Sequence, residues 1–354
     1  MKLEDLGFDD WFKKESEIYQ NTEYDIARVA AVDKNQFVVR NEETTIAAEV
    51  TGKLIYEAVS MLDFPTIGDW VKVQYFDNRE FAIIHSILPR KSLLKRKMAG
   101  KKVEFQSIGA NIDSAFIIQA SDYDFNISRL ERYLTMINEA SIKPVILLSK
   151  IDLISTDNLN QKISDINNIS HLKDIVALSN LSGQGLNEIK SIIKPGKTYC
   201  LLGSSGVGKT TLLNNLIGEN LYTTDSIRTK DGKGKHITTR RQLIILKDGG
   251  IIIDTPGMRE LGNIGVSTGI NETFSDIYDL AKGCKFKDCT HTAEPECKIL
   301  ESIKNGFLNE KHYQNFLKLR KESEHYEMSY HERRKKDHNF GKFIKQAMKN
   351  NKKV

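Results

Sequence analysis

The sequence predicts a multi-domain chain: a β-rich N-terminal part, a central α/β domain, and a helical C-terminal part around a cysteine cluster. Three observations predict it. Residues 24–88 hold five short runs rich in β-branched and aromatic residues, separated by turn signals. From residue 113 onward, apolar strand-like runs alternate with helical segments, the pattern of a mostly parallel sheet with crossover helices. Cys284, Cys289 and Cys297 then fall within fourteen residues of a largely helical stretch.

Composition sets the frame. A chain of 354 residues is long enough for two or three domains. Charged residues make up 28% and hydrophobic residues 40%, ordinary values for a globular protein. No apolar run approaches the roughly 18 residues needed to span a bilayer. The start, "MKLEDLGFDDWF", is acidic and lacks the apolar core of a signal peptide. A cytoplasmic protein with no membrane partner is expected.

The N-terminal runs are "YDIARVAAV", "QFVVR", "TTIAAEV", "DWVKVQYF" and "FAIIHSIL". The turns "VDKNQ", "RNEET" and "FDNRE" separate them. Five strands suit a small barrel over 1–89. An oligonucleotide-binding (OB) fold is one candidate and an SH3-like barrel another. A basic linker is expected over 90–112, because Arg90–Lys102 holds seven basic residues and no acid. A basic tail, 331–354, carries nine Lys/Arg and two acids. Two such runs within a net charge of +5 favour a polyanionic partner such as nucleic acid.

The central domain is expected over 113–268. "DSAFIIQA" reads as a buried strand, and "SRLE" announces the next helix, with Ser128 as cap and Glu131 completing a capping box. Leu130, Leu134 and Ile137 recur on one face of that helix. The strand "KPVILLS" ends at "SKID", and "DIVAL" and "TYCLLG" supply two more strands. Cys200, in the last of these, reads as a small core residue.

"GSSGVGKTT" follows that strand and opens the helix "TTLLNNLIG". Gly203, Ser204, Ser205, Gly206, Val207, Gly208, Lys209, Thr210 and Thr211 form a phosphate-binding loop. Its glycines let backbone N–H groups turn inward on phosphate oxygens. Lys209 reaches the β/γ phosphates, and the Thr210 hydroxyl ligates Mg²⁺. Downstream, "IIIDTPG" delivers Asp254 to the edge of the sheet for Mg²⁺, and the Gly257 N–H can sense a γ-phosphate. Between them, "KGKHITTRR" offers Thr238 or Thr239 as the threonine that closes on the metal.

The base is read upstream. The Asp152 carboxylate can accept two hydrogen bonds from guanine, which adenine cannot supply, and the Lys150 stem lies along the purine ring. Ser149 stands where Asn or Thr is usual; it keeps a hydroxyl but loses the reach of an amide. Ser179 and Asn180 supply a second base-contacting turn. The order is therefore base reader, second base turn, phosphate loop, switch threonine, then D-x-x-G. This is a guanine-nucleotide domain in circularly permuted order. Its loops converge on one sheet edge whatever their order in the chain.

Cys284, Cys289, His291 and Cys297 give C-x(4)-C-x-H-x(5)-C, four ligands suited to one tetrahedral, structural Zn²⁺. A helical zinc-binding domain is expected over 269–330.

Taken together, the barrel, the permuted order and the zinc spacing resemble the RsgA (YjeQ) family of small ribosomal subunit biogenesis GTPases. "TIGDWV", "RLERYL", "GKHITT" and "CKFKDCTH" carry the likeness locally. The resemblance implies an OB-fold N-terminal β-barrel, a central circularly permuted P-loop α/β GTPase domain and a C-terminal helical zinc-binding domain. It also implies GTP hydrolysis to GDP and phosphate, stimulated by the small subunit, and binding to 16S rRNA late in that subunit's maturation. A monomer is expected. The second reading is a nucleotide-sensing RNA-binding assembly factor in which hydrolysis is incidental.

Met258 stands where related switches carry the glutamine that orients water, so unaided hydrolysis should be slow. His236 matches a family histidine proposed to act on that water; contact with RNA is its other reading. Ile237 stands where the family often has a third threonine.

Overall fold

A computed structural model of the chain describes residues 1–18, 24–33, 36–98, 104–169, 174–219, 241–254 and 267–327. The chain forms two compact units, Met1–Gly262 and Asn263–Val354. Among the described residues no helix is long and apolar enough to cross a membrane.

The first unit opens with the barrel. Its strands are β1 (Asp25–Asp33), β2 (Gln36–Arg40), β3 (Thr45–Val50), β4 (Trp70–Phe76) and β5 (Phe81–Ile87). They pair in the order β1-β2-β3-β5-β4, and β4 returns to β1 to close the barrel. Only β3 and β5 run parallel. A short helix, Gly52–Glu57, joins β3 to β4, capped by Thr51 accepting from the Leu54 N–H. This is the OB topology, which settles the choice between barrels. The core shows why these segments became strands. Ala27 and Val29, Phe37 and Val39, Val71 and Val73, and Ala82 and Ile84 all face inward at a spacing of two.

Two further strands, β6 (Leu93–Lys97) and β7 (Phe105–Ala110), form an antiparallel hairpin. They lie in the segment expected as a linker, so that connection is itself structured. Leu94 of β6 is buried, and the adjacent Lys95 and Arg96 are half-buried.

The α/β sheet follows, with β8 (Ser114–Ala120), β9 (Lys143–Ser149), β10 (Ile175–Ala177), β11 (Thr198–Leu202), β12 (Arg241–Ile245) and β13 (Ile251–Asp254). Its order is β10-β9-β8-β11-β13-β12, parallel except for β12. Every residue of β8 and β11 is buried, which is why these strands read as unbroken apolar runs. Cys200 is fully buried, as expected of a core residue.

Strand β12 was not anticipated. It pairs with β13 on one side and with β1 on the other, so barrel and α/β sheet form one continuous sheet of eleven strands. Arg28 reinforces the join. It is fully buried and donates to the Gly68 and Leu6 carbonyls of the N-terminal region and to Thr198 Oγ1 on β11. Burial pushes its guanidinium down to about 10, with the carboxylates of Asp113 and Asp69 opposing the shift.

The helix after β8 spans Ile127–Glu139. Its cap is Asn126, not Ser128: Asn126 Oδ1 accepts from the Arg129 N–H at 2.9 Å. Gln119 on β8 sets this start. Its amide donates to the Asn126 carbonyl at 2.9 Å and accepts from the Asn126 N–H at 3.1 Å. Ser128 and Glu131 therefore lie inside the helix.

The second unit holds helices Ser267–Thr273, Ser275–Ala281, Lys298–Lys304 and Glu310–Glu327. Phe274, Ile277, Ile299 and Phe316 are buried in it, with the Phe274 and Phe316 rings 5.5 Å apart.

Candidate functional site

The parallel strands β8, β9, β10, β11 and β13 all end on one edge of the sheet. From β8 the chain moves outward to β9 and β10, then returns to place β11 on the other flank of β8. This reversal makes the crevice in which open α/β sheets bind ligands.

The phosphate-loop residues follow β11 and run into the helix Lys209–Ile217. Gly208 caps that helix with φ +96°. The backbone favours glycine, and a Cβ there would lie 2.7 Å from Asn180 Nδ2, so an added methyl would push the Asn180 amide aside. Lys209 Nζ donates to the Gly203 carbonyl at 2.8 Å and the Ser204 carbonyl at 2.6 Å. Val207 is buried, Ser205 and Gly206 are exposed, and Thr210 and Thr211 are half-buried in the first helical turn. An N-terminal helix end beneath a glycine turn is a standing anion site.

The residues expected around the base lie near this loop, Ser149 and Asn180 in contact with it. Ser149, fully buried at the end of β9, donates its hydroxyl to the Val207 carbonyl at 2.7 Å. The lost amide reach is thus no obstacle to contact with the phosphate loop. Asn180 Nδ2 donates to the Gly208 carbonyl at 3.1 Å, and Asn215 Nδ2 donates to Asn180 Oδ1 at 3.3 Å. Ser179 is buried, and its hydroxyl accepts from the Ser182 N–H at 3.2 Å. Lys150 is left-handed, φ +60°, and Asp152 is exposed in the turn just after it.

Asp254 ends β13 on the same edge. Burial raises its carboxyl above the usual range, and the nearby Lys209 ammonium opposes that shift. A half-buried carboxylate at the strand end and the hydroxyl of Thr210 are oxygen donors of the kind Mg²⁺ takes. His236, Thr238, Thr239, Gly257 and Met258 lie outside the described residues, as does the tail 331–354.

Sequence reasoning missed the loop after β8. Asp122 Oδ2 accepts from Lys150 Nζ at 2.9 Å, and Asp124 Oδ2 accepts from Ser204 Oγ at 2.7 Å. The string "SDYDFN" gave no motif; only the adjacency of β8 to both β9 and β11 gives it meaning.

In the second unit, Cys284, Cys289, His291 and Cys297 bring one donor atom each within 4.8 Å of one another. Cys284 Sγ and Cys297 Sγ lie 3.6 and 3.5 Å from His291 Nδ1, and 4.0 Å from each other. A tetrahedral shell with bonds of about 2.0–2.3 Å places its ligands roughly 3.3–3.8 Å apart. Three thiols and an imidazole at this spacing fit Zn²⁺. Tyr313 fixes the cluster from the last helix, its hydroxyl donating to the His291 carbonyl at 2.6 Å.

The parallel sheet, its glycine turn and the chain order of its edge loops are those of a circularly permuted P-loop GTPase. Comparison with known proteins narrows this class. The RsgA GTPase family profile matches residues 87–264. Small ribosomal subunit biogenesis GTPase RsgA 1 of Bacteroides thetaiotaomicron is 38% identical over 97% of this chain and 96% of its own. The Listeria innocua protein of the same name is 40% identical over 94% and 91%. Among solved structures, YjeQ from Thermotoga maritima aligns with a TM-score of 0.63 at 26% identity, covering 85% of this chain and 98% of its own. YloQ, described as a circularly permuted GTPase, shares the fold with a TM-score of 0.59 at 22% identity, covering 87% and 97%. The chain belongs to the RsgA family and is a GTP-hydrolysing enzyme.

Proposed function

We propose that this protein binds the small ribosomal subunit through its 16S rRNA, late in maturation, and that the bound subunit stimulates its hydrolysis of GTP to GDP and phosphate. The names of its relatives support the subunit as partner. One observation carries the nucleotide reading: the Ser149 hydroxyl and the Asn180 amide both bond to carbonyls of the phosphate loop. Residues far upstream in the chain thus complete a site around Gly203–Thr211.

In this reading the backbone of Ser204, Ser205, Gly206, Val207 and Gly208 cradles the phosphates, with Lys209 and Thr211 beside them. Asp152 reads guanine, and Ser179 with Asn180 closes the far side of the base. Thr210, Asp254 and either Thr238 or Thr239 would hold Mg²⁺, which neutralises charge on the phosphate oxygens when bound. The Gly257 N–H senses the γ-phosphate. His236 acts on the attacking water, in place of the glutamine that Met258 replaces. One structural Zn²⁺ is held by Cys284, Cys289, His291 and Cys297. The protein works as a cytoplasmic monomer, and its basic segments meet rRNA.

Phosphate release from GTP and ATP, with and without purified small subunits, tests this. Slow GTP turnover that rises many-fold with subunits is expected. Tight GTP-dependent subunit binding without stimulation would instead favour a nucleotide sensor.

A further inference from the structure

Between β8 and the helix that follows it, Ser121–Asn126 touches both halves of the nucleotide site. Strand register sets the contact: Ala120 of β8 faces Ser149 of β9. One step on, the Ser121 N–H and hydroxyl both donate to the Ser149 carbonyl at 2.8 Å. One step further, Asp122 meets Lys150. Its Oδ1 accepts from the Asp124 N–H at 2.9 Å, which fixes the carboxylate within its own loop. Its Oδ2 holds the Lys150 ammonium at 2.9 Å. The pair is shielded, with side chains 12% and 33% exposed, so it is worth more than an open surface pair. Burial pushes the Asp122 carboxyl up, but the Asp124 N–H and the Lys150 ammonium outweigh it and hold the group below its usual range. It is therefore charged at neutral pH. The same loop abuts the phosphate loop, where Asp124 accepts from Ser204 and pairs with Arg129 at 2.8 Å.

We infer that Asp122 is a positioning residue for guanine binding, anchoring the Lys150 ammonium so that the lysine stem is already laid out where the base will lie. This rests on the reading of Lys150 as a base-contacting residue. The physical argument is preorganisation. A free lysine stem samples many rotamers and must be ordered when nucleotide arrives. Anchoring removes that cost beforehand. Asp122 touches the lysine, not the substrate, so it acts only through Lys150.

The test is a double-mutant cycle on the full chain, read by titration with fluorescent GDP and by thermal melting. Asp122→Asn keeps an acceptor for the Asp124 N–H and removes the charge. It should weaken GDP binding about tenfold, within the range expected for losing a preorganised lysine. In a Lys150→Ala background it should do nothing further, and its melting temperature should match the parent. An equal loss of affinity in the Lys150→Ala background would overturn the proposal, because the effect would then run through the fold. So would unchanged GDP affinity in Asp122→Asn where Lys150→Ala alone weakens binding. Unchanged affinity in Lys150→Ala would instead sink the base-contact reading itself, and this proposal with it.

Discussion

Ala31 of the barrel faces Gln242 across the antiparallel pair β1–β12, and Gln242 faces Asp254 across β12–β13 on its other side. A single row of residues thus runs from the barrel wall to the carboxylate at the nucleotide edge. On the side away from β13, the first two residues of β12 are paired by β1. Deleting residues 1–89 would expose their N–H and C=O groups and remove every bond that Arg28 makes. The truncated chain should aggregate and melt several degrees lower than the parent. Scanning calorimetry with light scattering would show this, and an unchanged midpoint would refute a shared sheet.

Gly208 and Gly206 separate two costs of losing glycine in the phosphate loop. Both have positive φ, +96° and +79°. An added Cβ at Gly208 meets Asn180 Nδ2 at 2.7 Å, whereas at Gly206 it meets nothing within 4 Å. Backbone strain of about 1–3 kcal/mol applies to both. Displacement of Asn180 applies only to Gly208→Ala. GDP titration should therefore show a clearly larger loss for Gly208→Ala, by about another tenfold, the equivalent of one lost buried hydrogen bond.

The parts legible in the sequence were those whose residues act locally. Strand, glycine turn and helix around Gly203–Thr211 are consecutive, and four potential ligand residues within one short stretch announce a donor cluster by spacing alone. The β-strands of the barrel were legible because their inward residues alternate. What was not legible depends on partners distant in the chain. "RQLII" became β12 because β1 and β13 flank it, although its apolar run and the "DGG" turn after it were a signal for a hairpin. The basic run at 90–102 hid β6, since a charge pattern says nothing about a hairpin partner at 105–110. Asn126 displaced Ser128 as cap because Gln119, on a strand already placed, grips its backbone. The loop at Asp122 had no motif of its own, and its role follows from where β8 sits between β9 and β11.

Metal removal tests the second unit. Its cysteine cluster joins the turn at 284–297 to the helix that carries Tyr313. The intact protein should hold one zinc per chain by elemental mass spectrometry. Cys297→Ser should hold none. Apparent binding energies of structural zinc sites are about 10–16 kcal/mol, so its loss should unfold the helices of this unit. A fall in helical circular dichroism on adding a strong chelator, reversed by Zn²⁺, is expected. An unchanged spectrum would mean that the cluster does not hold the unit together.

Asp152 carries the central claim, that a base reader written upstream of the phosphate loop makes this a guanine-nucleotide site. The direct measurement is nucleotide preference in Asp152→Asn, by titration with GTP, xanthosine triphosphate and ATP. The parent should bind GTP and discriminate strongly against ATP, because a site built to pair with guanine leaves its carboxylate unpaired with adenine. The variant should lose about 100-fold or more in GTP affinity and gain affinity for the xanthine nucleotide, whose base presents the complementary pattern. GTP affinity unchanged in Asp152→Asn, or a parent that binds ATP as well as GTP, would contradict the permuted reading.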